Sequence, residues 1–331
     1  MPQHASVVVR LEGGLGNQMF QYAAGRAVAL LTGRQLLLDP APIPRGPSGR
    51  RYELPAFRID GEPVKPLTRT QIRGQVGVRL PTFVRAAVRS VSRRRWTLLR
   101  DEGHACDERL FTTPGDLVLE GAWQSAAYTN RNPAVAAQLR RDFALQQPLP
   151  DRLASVAAEI AACEAVCVHV RRGDYVHDQK IAAFHGVLPL DYYSAAAARF
   201  AAAVSSPTFF VFSDDLEWAR GALRLPGPMR FVNEAAGLTP VMDQRLMAGC
   251  RHFIIANSTF SWWAAWLGEA PDKMVVAPRR WFAAAEPPAG IIPATWMTSG
   301  IGVGMPGWPG PPSLRTVLAG LPHTALRLMV T

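Results

Sequence analysis

Two hydrophobic periods alternate through the second half of the chain. Short apolar runs end in charged or hydroxyl residues: AVCVHVR (165 to 171), TFFVFSDD (208 to 215), MRFV, HFIIAN (252 to 257) and KMVVAP (273 to 278). Between them lie stretches whose apolar positions recur every three or four residues, near 190 to 203, in LEWARGAL, near 240 to 250 and in STFSWWAAWLG. Continuous apolar runs of this length suit strands buried on both faces, and the intervening period suits helices, so the order predicts a parallel sheet covered on both sides. The first forty residues carry the same signal: VVVRL (7 to 11), the glycine turn EGGLGNQ, a helix MFQYAAGRAVALLTG with Phe20, Ala23, Ala24, Ala27 and Leu31 on one face, and QLLL (35 to 38). Asn17 is the expected cap of that helix and Gly33 its expected stop.

From Pro40 to about Gly115 the pattern dissolves into proline, glycine and arginine. It resumes with DLVLEGAW (116 to 123) and helices near 132 to 143 and 151 to 162. One such unit in each half predicts an α/β protein of two Rossmann-like lobes whose parallel sheets face a central cleft. The expected boundaries are 1–150, 151–300, and a tail 301–331 in which PGWPGPP reads as a linker before a short helix.

Composition narrows the class. With 331 residues and 48% hydrophobic content the chain can bury a sizeable core in two domains. No run is long enough to span a bilayer, and the start MPQHASVVVRLEGG lacks the features of a signal peptide, so a cytoplasmic location is expected. Cys106, Cys163, Cys167 and Cys250 form no CxxC pair and suit reduced core thiols better than zinc ligands; no structural metal is expected. The net charge of +10 is concentrated: 63–100 holds ten Lys and Arg residues and no acid. Phe83, Val84, Ala87, Val88, Val91 and Trp96 interleave with those arginines at near-helical spacing. A solvated insertion accounts for this, and among functional readings peripheral contact with an anionic membrane fits best, placing the protein on the inner membrane face.

The chemistry collects at the ends of the predicted strands. VCVHVRRGDYV closes a buried strand with His169, Arg171, Arg172 and Asp174, and ligands of parallel sheets bind at carboxyl ends. Arg171 can grip a phosphate through two parallel hydrogen bonds with His169 as a further donor, while Arg172 and Asp174 are expected to pair across the turn. NSTFSWW passes straight from strand to helix. There Asn257 or Ser258 can cap, and Ser258, Thr259 and Ser261 put hydroxyls and free N–H groups at the positive end. Trp262, Trp263 and Trp266 read as core. Ser213, Asp214 and Asp215 stand at a third strand end, and Asp243 lies in the first turn of the helix opened by Thr239 and Pro240. Capping and dipole pairing explain these acids equally well, and they lack the DxD spacing that holds a divalent cation.

HVRRGDY, SDDLEW, DQRLMAGCRHFIIANSTFSWWAAWLG and GGLGNQMFQYAAGRA, in this order and from about residue 7 to about 282, resemble the motifs of glycosyltransferase family 11, the α-1,2-fucosyltransferases. The resemblance implies a GT-B fold, GDP-β-L-fucose as donor, inversion at the anomeric carbon and no metal requirement. HxRR is shared with α-1,6- and protein O-fucosyltransferases, so it speaks for the donor more than for the linkage. Arg171, His169 and the helix end at Ser258 and Thr259 are placed to stabilise the departing GDP; carried over from the related families, Asp214, Asp215 and Asp243 would contact the nucleoside or order the arginines, and Arg172, Asp174, Ser213, Asn257 and Ser261 complete the expected donor site. Gly14, Gly16, Asn17 and Gln18 would approach the sugar, and Glu12 is the candidate base. The expected acceptor is a galactose-containing oligosaccharide or a lipid-linked glycan of surface polysaccharide or O-antigen synthesis.

Two other classes fit less of the chain. VVVRLEGGLGNQ with Asp39 approaches a dinucleotide-binding fingerprint, but Met19 stands where its third glycine belongs, and an NAD(P) oxidoreductase gives no reason for HVRRGDY. The arginine-rich segment suggests nucleic acid, yet it carries no recognised binding motif, and none is expected as a partner.

Overall fold

The computed structural model describes residues 5–43, 50–63, 96–232 and 238–299. The membrane-contact reading of the arginine-rich segment falls mostly on 64–95, and the linker reading on the tail from 300, both outside the described residues. The described chain forms two compact units. One holds the residues up to Gln146 together with Pro288–Ile291, and the other runs from Gln147 to Pro287 and on from Ile292.

In the first unit five parallel strands lie in the order β3-β2-β1-β5-β4. They are β1 (Ser6–Arg10), β2 (Gln35–Asp39), β3 (Glu62–Pro63), β4 (Trp96–Arg100) and β5 (Asp116–Glu120). Val7, Val8 and Val9 are fully buried in the middle of this sheet, as the unbroken apolar run requires. The helix Leu15–Thr32 ends at Gly33, which adopts the left-handed φ of 69° that favours glycine. Gly25 lets this helix rest on β1, since a Cβ there would stand 2.1 Å from Val9 Cγ2. A buried network fixes its far side: Arg26 Nε and the Tyr22 hydroxyl donate to Asp142 at 2.9 and 2.7 Å, and Arg26 also meets Asp60.

The second unit is a six-stranded parallel sheet in the order β11-β10-β9-β6-β7-β8. Its strands are β6 (Ala165–Val170), β7 (Thr208–Ser213), β8 (Met229–Phe231), β9 (His252–Ile254), β10 (Val275–Pro278) and β11 (Met297–Ser299). Val166, Val168 and Val170 share one face of β6 with Tyr192, Tyr193, Ala196 and Phe200 from the helix Leu190–Ala203. Cys167 and His169 therefore point to the opposite face. Two parallel α/β sheets are the fold class expected from the strand and helix pattern.

Some local expectations change. Gly14, not Asn17, occupies the cap position of the first helix, and Asn17 lies inside its first turn. Trp96 belongs to β4 and packs with Leu98 against the sheet, so it leaves the proposed membrane-facing stripe. The helices Gly173–His177 and Gln179–His185 and the strand β11 had no periodic signal. Among the described residues no helix is long and apolar enough to cross a membrane.

Candidate active site

From β6 the chain moves outward through β7 and β8, then returns to the other side of β6 for β9, β10 and β11. The order therefore reverses between β6 and β9, and the crevice at such a reversal, outside the carboxyl ends, is where open α/β sheets bind ligands. Val170 is in register with Ser213, which brings the residues following the two strands together. Arg171 Nη1 lies 2.8 Å from Asp214 Oδ2, and Nη2 donates to Asp174 Oδ1 at 2.6 Å. Its guanidinium sits 5.4 Å from the centre of the Tyr175 ring. Arg171 is thus ordered from several directions, yet its two ion pairs use only some of its five N–H donors.

Arg172 does not pair with Asp174 across the turn. Its Nε donates to Asp215 Oδ2 at 3.0 Å, its guanidinium stacks 3.7 Å from the centre of the Trp218 ring, and its backbone N–H donates to Asp214 Oδ1 at 2.8 Å. The register of β6 against β7 overrides the local preference, because the strand-end acids of β7 lie beside both arginines. Gly173 has a packing reason as well: a Cβ there would come within 2.4 Å of Asp214 Oδ2. Asp215 also caps the helix Leu216–Ala222 by accepting from Trp218 N–H, and the hydrogen bond from Arg172 holds its carboxyl below the usual range. Ser213 Oγ accepts from Asp215 N–H at 3.0 Å. Two guanidinium cations here face three carboxylates.

His169 is 5% exposed, near Phe260, and its Nδ1 has no hydrogen-bond partner among the described residues. Burial, with Arg171 adding to it and Asp214 opposing, lowers its pKa to about 4. The imidazole is neutral at pH 7 and can offer a hydrogen bond but no charge. On the helix Pro240–Ala248, Asp243 Oδ1 is buried without a hydrogen-bond partner among the described residues, and desolvation raises the carboxyl to about 7.

Beyond β9 the assignments divide. Ser258 is at the cap position of the helix Thr259–Leu267 and makes no side-chain capping bond, so it and Thr259 stand at the positive end of that helix, beyond the carboxyl end of β9. Asn257 does not cap. It is 3% exposed and its Nδ2 donates to the carbonyls of His185, Gly186 and Trp281, tying down the loop after the Gln179–His185 helix. Ser261 is fully buried and bonds back to the Ser258 carbonyl, so it too is structural. Trp262, Trp263 and Trp266 are core, as expected.

The first sheet reverses between β1 and β5, and its carboxyl ends carry a different chemistry. Glu12 follows β1; its Oε1 is buried without a hydrogen-bond partner among the described residues, and burial raises its pKa, with Arg10 opposing and Glu120 adding. Gln21 Oε1 accepts from the Glu12 N–H at 3.0 Å. Gln18 is fully buried and committed to backbone: Nε2 donates to the carbonyls of Gly13 and Arg51, and Oε1 accepts from Glu53 N–H. It holds the loop rather than a sugar. Gly16 is buried in the helix, and Gly14 lies under Arg50, whose Nη1 would be 2.6 Å from a Cβ. Asn17 keeps its half-exposed position and accepts from Gln124 Nε2 at 3.3 Å. Asp39 is 1% exposed and bonded to Ala41 N–H, so it is not free to hold a ribose.

The profile of glycosyl transferase family 11 matches residues 141–287, which include every charged residue of the second reversal point. The chain is 31% identical over 293 residues to the O-antigen biosynthesis glycosyltransferase WbnK of Escherichia coli, covering 82% of this chain and 94% of that one. The chain is a family 11 glycosyltransferase. An alpha-1,2-colitosyltransferase of Escherichia coli is 30% identical over 283 residues, 83% of this chain and 92% of that one. The human galactoside alpha-(1,2)-fucosyltransferase 1 is 28% identical over 282 residues, 80% of this chain and 68% of its own length. The family 11 glycosyltransferases are the α-1,2-fucosyltransferase family, and membership removes the oxidoreductase reading.

Several supports of the candidate site were not assigned from sequence. Tyr175 and Trp218 stood inside the quoted motifs, and an aromatic residue three or four positions beyond a strand-end Arg or Asp was the available signal.

Proposed function

We propose that this enzyme transfers L-fucose from GDP-β-L-fucose to the 2-hydroxyl of a galactoside, with inversion and without a metal ion, in the synthesis of a surface polysaccharide or O-antigen. The observation that carries the reading is the pre-ordered Arg171, held by Asp174 and Asp214 at the reversal point of the second sheet. As the bond to the sugar breaks, negative charge grows on the diphosphate. Arg171 supplies fixed donors to that charge, Ser258, Thr259 and the helix N-terminus add theirs, and neutral His169 adds a hydrogen bond. Arg172, Asp214 and Asp215 keep these groups in place, and Asp243 meets the nucleoside or orders the arginines. On the first unit Glu12 accepts the acceptor's proton, and burial raises its pKa above the ordinary carboxylate value, which makes it a stronger base. The basic segment 64–95 favours an acceptor at an anionic membrane surface, and vesicle co-sedimentation at physiological salt tests that part separately.

A second reading concerns the donor sugar. The similarity to a colitosyltransferase matches that to the O-antigen enzyme, so nucleotide-linked colitose belongs in the assay beside GDP-fucose. Purified protein is incubated with either donor, a panel of β-galactosides and excess EDTA, and products are read by mass spectrometry and linkage analysis beside Arg171→Ala. A 2-linked fucosyl product from wild type, undiminished by EDTA and lost in the variant, supports the proposal. A colitosyl product alone moves the donor, and absence of GDP binding overturns the site.

A further inference from the structure

At the carboxyl end of β5 the backbone is left-handed twice within three residues. Gly121 has φ 139° and Trp123 φ 53°. For a bulky residue such as tryptophan that conformation is strained, and it persists only where its surroundings enforce it. Asp101, which follows the neighbouring β4, does so: its Oδ2 accepts from the Trp123 N–H at 2.7 Å. It also packs against Gly121, where a Cβ would stand 2.4 Å from the Asp101 Cβ. The Trp123 indole is 1% exposed and cannot itself meet a ligand. From 121 to 126 every residue is buried except Gln124.

The turn therefore offers one side chain to its surroundings. Gln124 Nε2 reaches Asn17 Oδ1, and Asn17 is the half-exposed residue in the first turn of the Leu15–Thr32 helix. β1 and β5 are adjacent, with Val9 opposite Leu119, so Glu12 and Gln124 leave the same end of neighbouring strands. Two primary amides side by side carry donors and acceptors without charge. That suits the adjacent hydroxyls of a neutral sugar, whereas a phosphate would call for cations.

We propose that Gln124 and Asn17 form a subsite for a neutral hexose of the acceptor, with Asp101 as the positioning residue that holds the strained turn. This rests on the proposed function, in which Glu12 of the first unit takes the acceptor's proton.

The test compares wild type with Gln124→Ala, Asp101→Ala and Asp101→Asn. Initial rates are taken against acceptor at saturating donor and against donor at saturating acceptor, with GDP affinity by calorimetry and thermal melting as controls of folding. Gln124→Ala is expected to raise the acceptor KM about tenfold, the effect of one or two lost hydrogen bonds, with GDP affinity and Tm unchanged. Asp101→Ala should raise it similarly, and Asp101→Asn, whose amide oxygen can still accept from Trp123 N–H, should recover most of the loss. An acceptor KM within twofold of wild type in Gln124→Ala, or a donor KM that rises in parallel, overturns the assignment. If wild type transfers no sugar, β-galactoside binding in the presence of GDP is read by saturation-transfer NMR. A signal lost in Gln124→Ala supports the subsite while the transfer reading fails, and binding that is absent or unchanged in the variant overturns the subsite.

Discussion

The two sheets solve the same topological problem and equip it differently. Each reverses its strand order beside its opening strand, β1 in the first unit and β6 in the second, and each leaves loop and helix N-terminus at the reversal. The second reversal carries two arginines, three aspartates and a hydroxyl-lined helix start. The first carries glycines and amides beside Glu12, and the charges at its strand ends are paired with one another, Arg10 with Asp39 and Glu120 and Arg100 with Glu120. Topology places a site, and the side chains at strand ends decide what it holds: ionic groups suit a diphosphate whose charge grows during reaction, and amides suit a sugar that stays neutral.

The largest effect that would sharpen this contrast lies at Arg171. Arg171→Ala should lower kcat by on the order of 100- to 1000-fold, the loss expected when a fixed donor to developing charge is removed. Arg171→Lys should recover little, since an ammonium cannot bridge Asp174 and Asp214 and still present a planar face of donors. If Lys restores most of the rate, Arg171 acts only as a charge and the ordered network around it has no catalytic meaning.

Glu12→Gln comes next and addresses the neutral side. A base removed should cost about 100-fold in kcat with KM for both substrates little changed. The raised pKa adds a sign: the base works only when ionised, so wild-type activity should fall on the acid side at a pH above the ordinary carboxylate range. Unchanged turnover in Glu12→Gln would remove the base from the first unit and leave only binding there.

How much of this arrangement could be read from the sequence differs between the two sites for the same reason. The charged strand ends were legible because Arg171 and Asp214 terminate long apolar runs, where an unpaired charge is costly and so signals a partner. Their pairing was not legible. Arg172 finds Asp215 rather than Asp174 because β6 and β7 lie in register, a relation between residues 43 positions apart. The polar residues of Asn257, Ser261 and Gln18 looked like ligand groups, yet each satisfies backbone around a buried turn. Composition cannot separate an amide that serves a loop from one that serves a substrate. Gln124 shows the converse. Nothing in GAWQSAAY marks its glutamine, and only the left-handed backbone at Trp123 and the burial of its neighbours single it out. The strand WTLLR went unseen because it follows directly on the arginine-rich run.

A smaller effect tests whether the acids of the second site serve order or charge. Asp214→Asn keeps the shape beside Gly173 and the acceptor for Arg172 N–H but removes one of the two charges facing Arg171. The loss in kcat/KM should be about tenfold, close to one charge-assisted hydrogen bond of about 1.5 kcal/mol. A gain in GDP affinity with a fall in kcat would show that the carboxylate competes with the diphosphate for Arg171 while aligning it for the reaction.

The smallest effect is on stability and isolates Asp243. Burial raises this carboxyl to about 7 from an ordinary value near 4, so the folded protein favours its protonated form. An acid raised on folding contributes stability that is fully present below its unfolded pKa and is lost as pH rises through the folded one. Asp243→Asn removes that titration. The melting temperature of the ligand-free variant, relative to wild type, should therefore climb between about pH 4 and pH 7 and level off above. His169, lowered to about 4, gives the opposite slope over part of the same window, but it is present in both proteins and cancels in the difference. Repeating the melts with saturating GDP extends the test. If the nucleoside donates a hydrogen bond to the buried Asp243 oxygen, the bound wild type regains stability above pH 7 that the Asn variant does not match. The charged site would then extend from the diphosphate to the base. A difference that stays constant across pH, with and without GDP, would leave Asp243 as a packing residue and confine the charged site to the ends of β6 and β7.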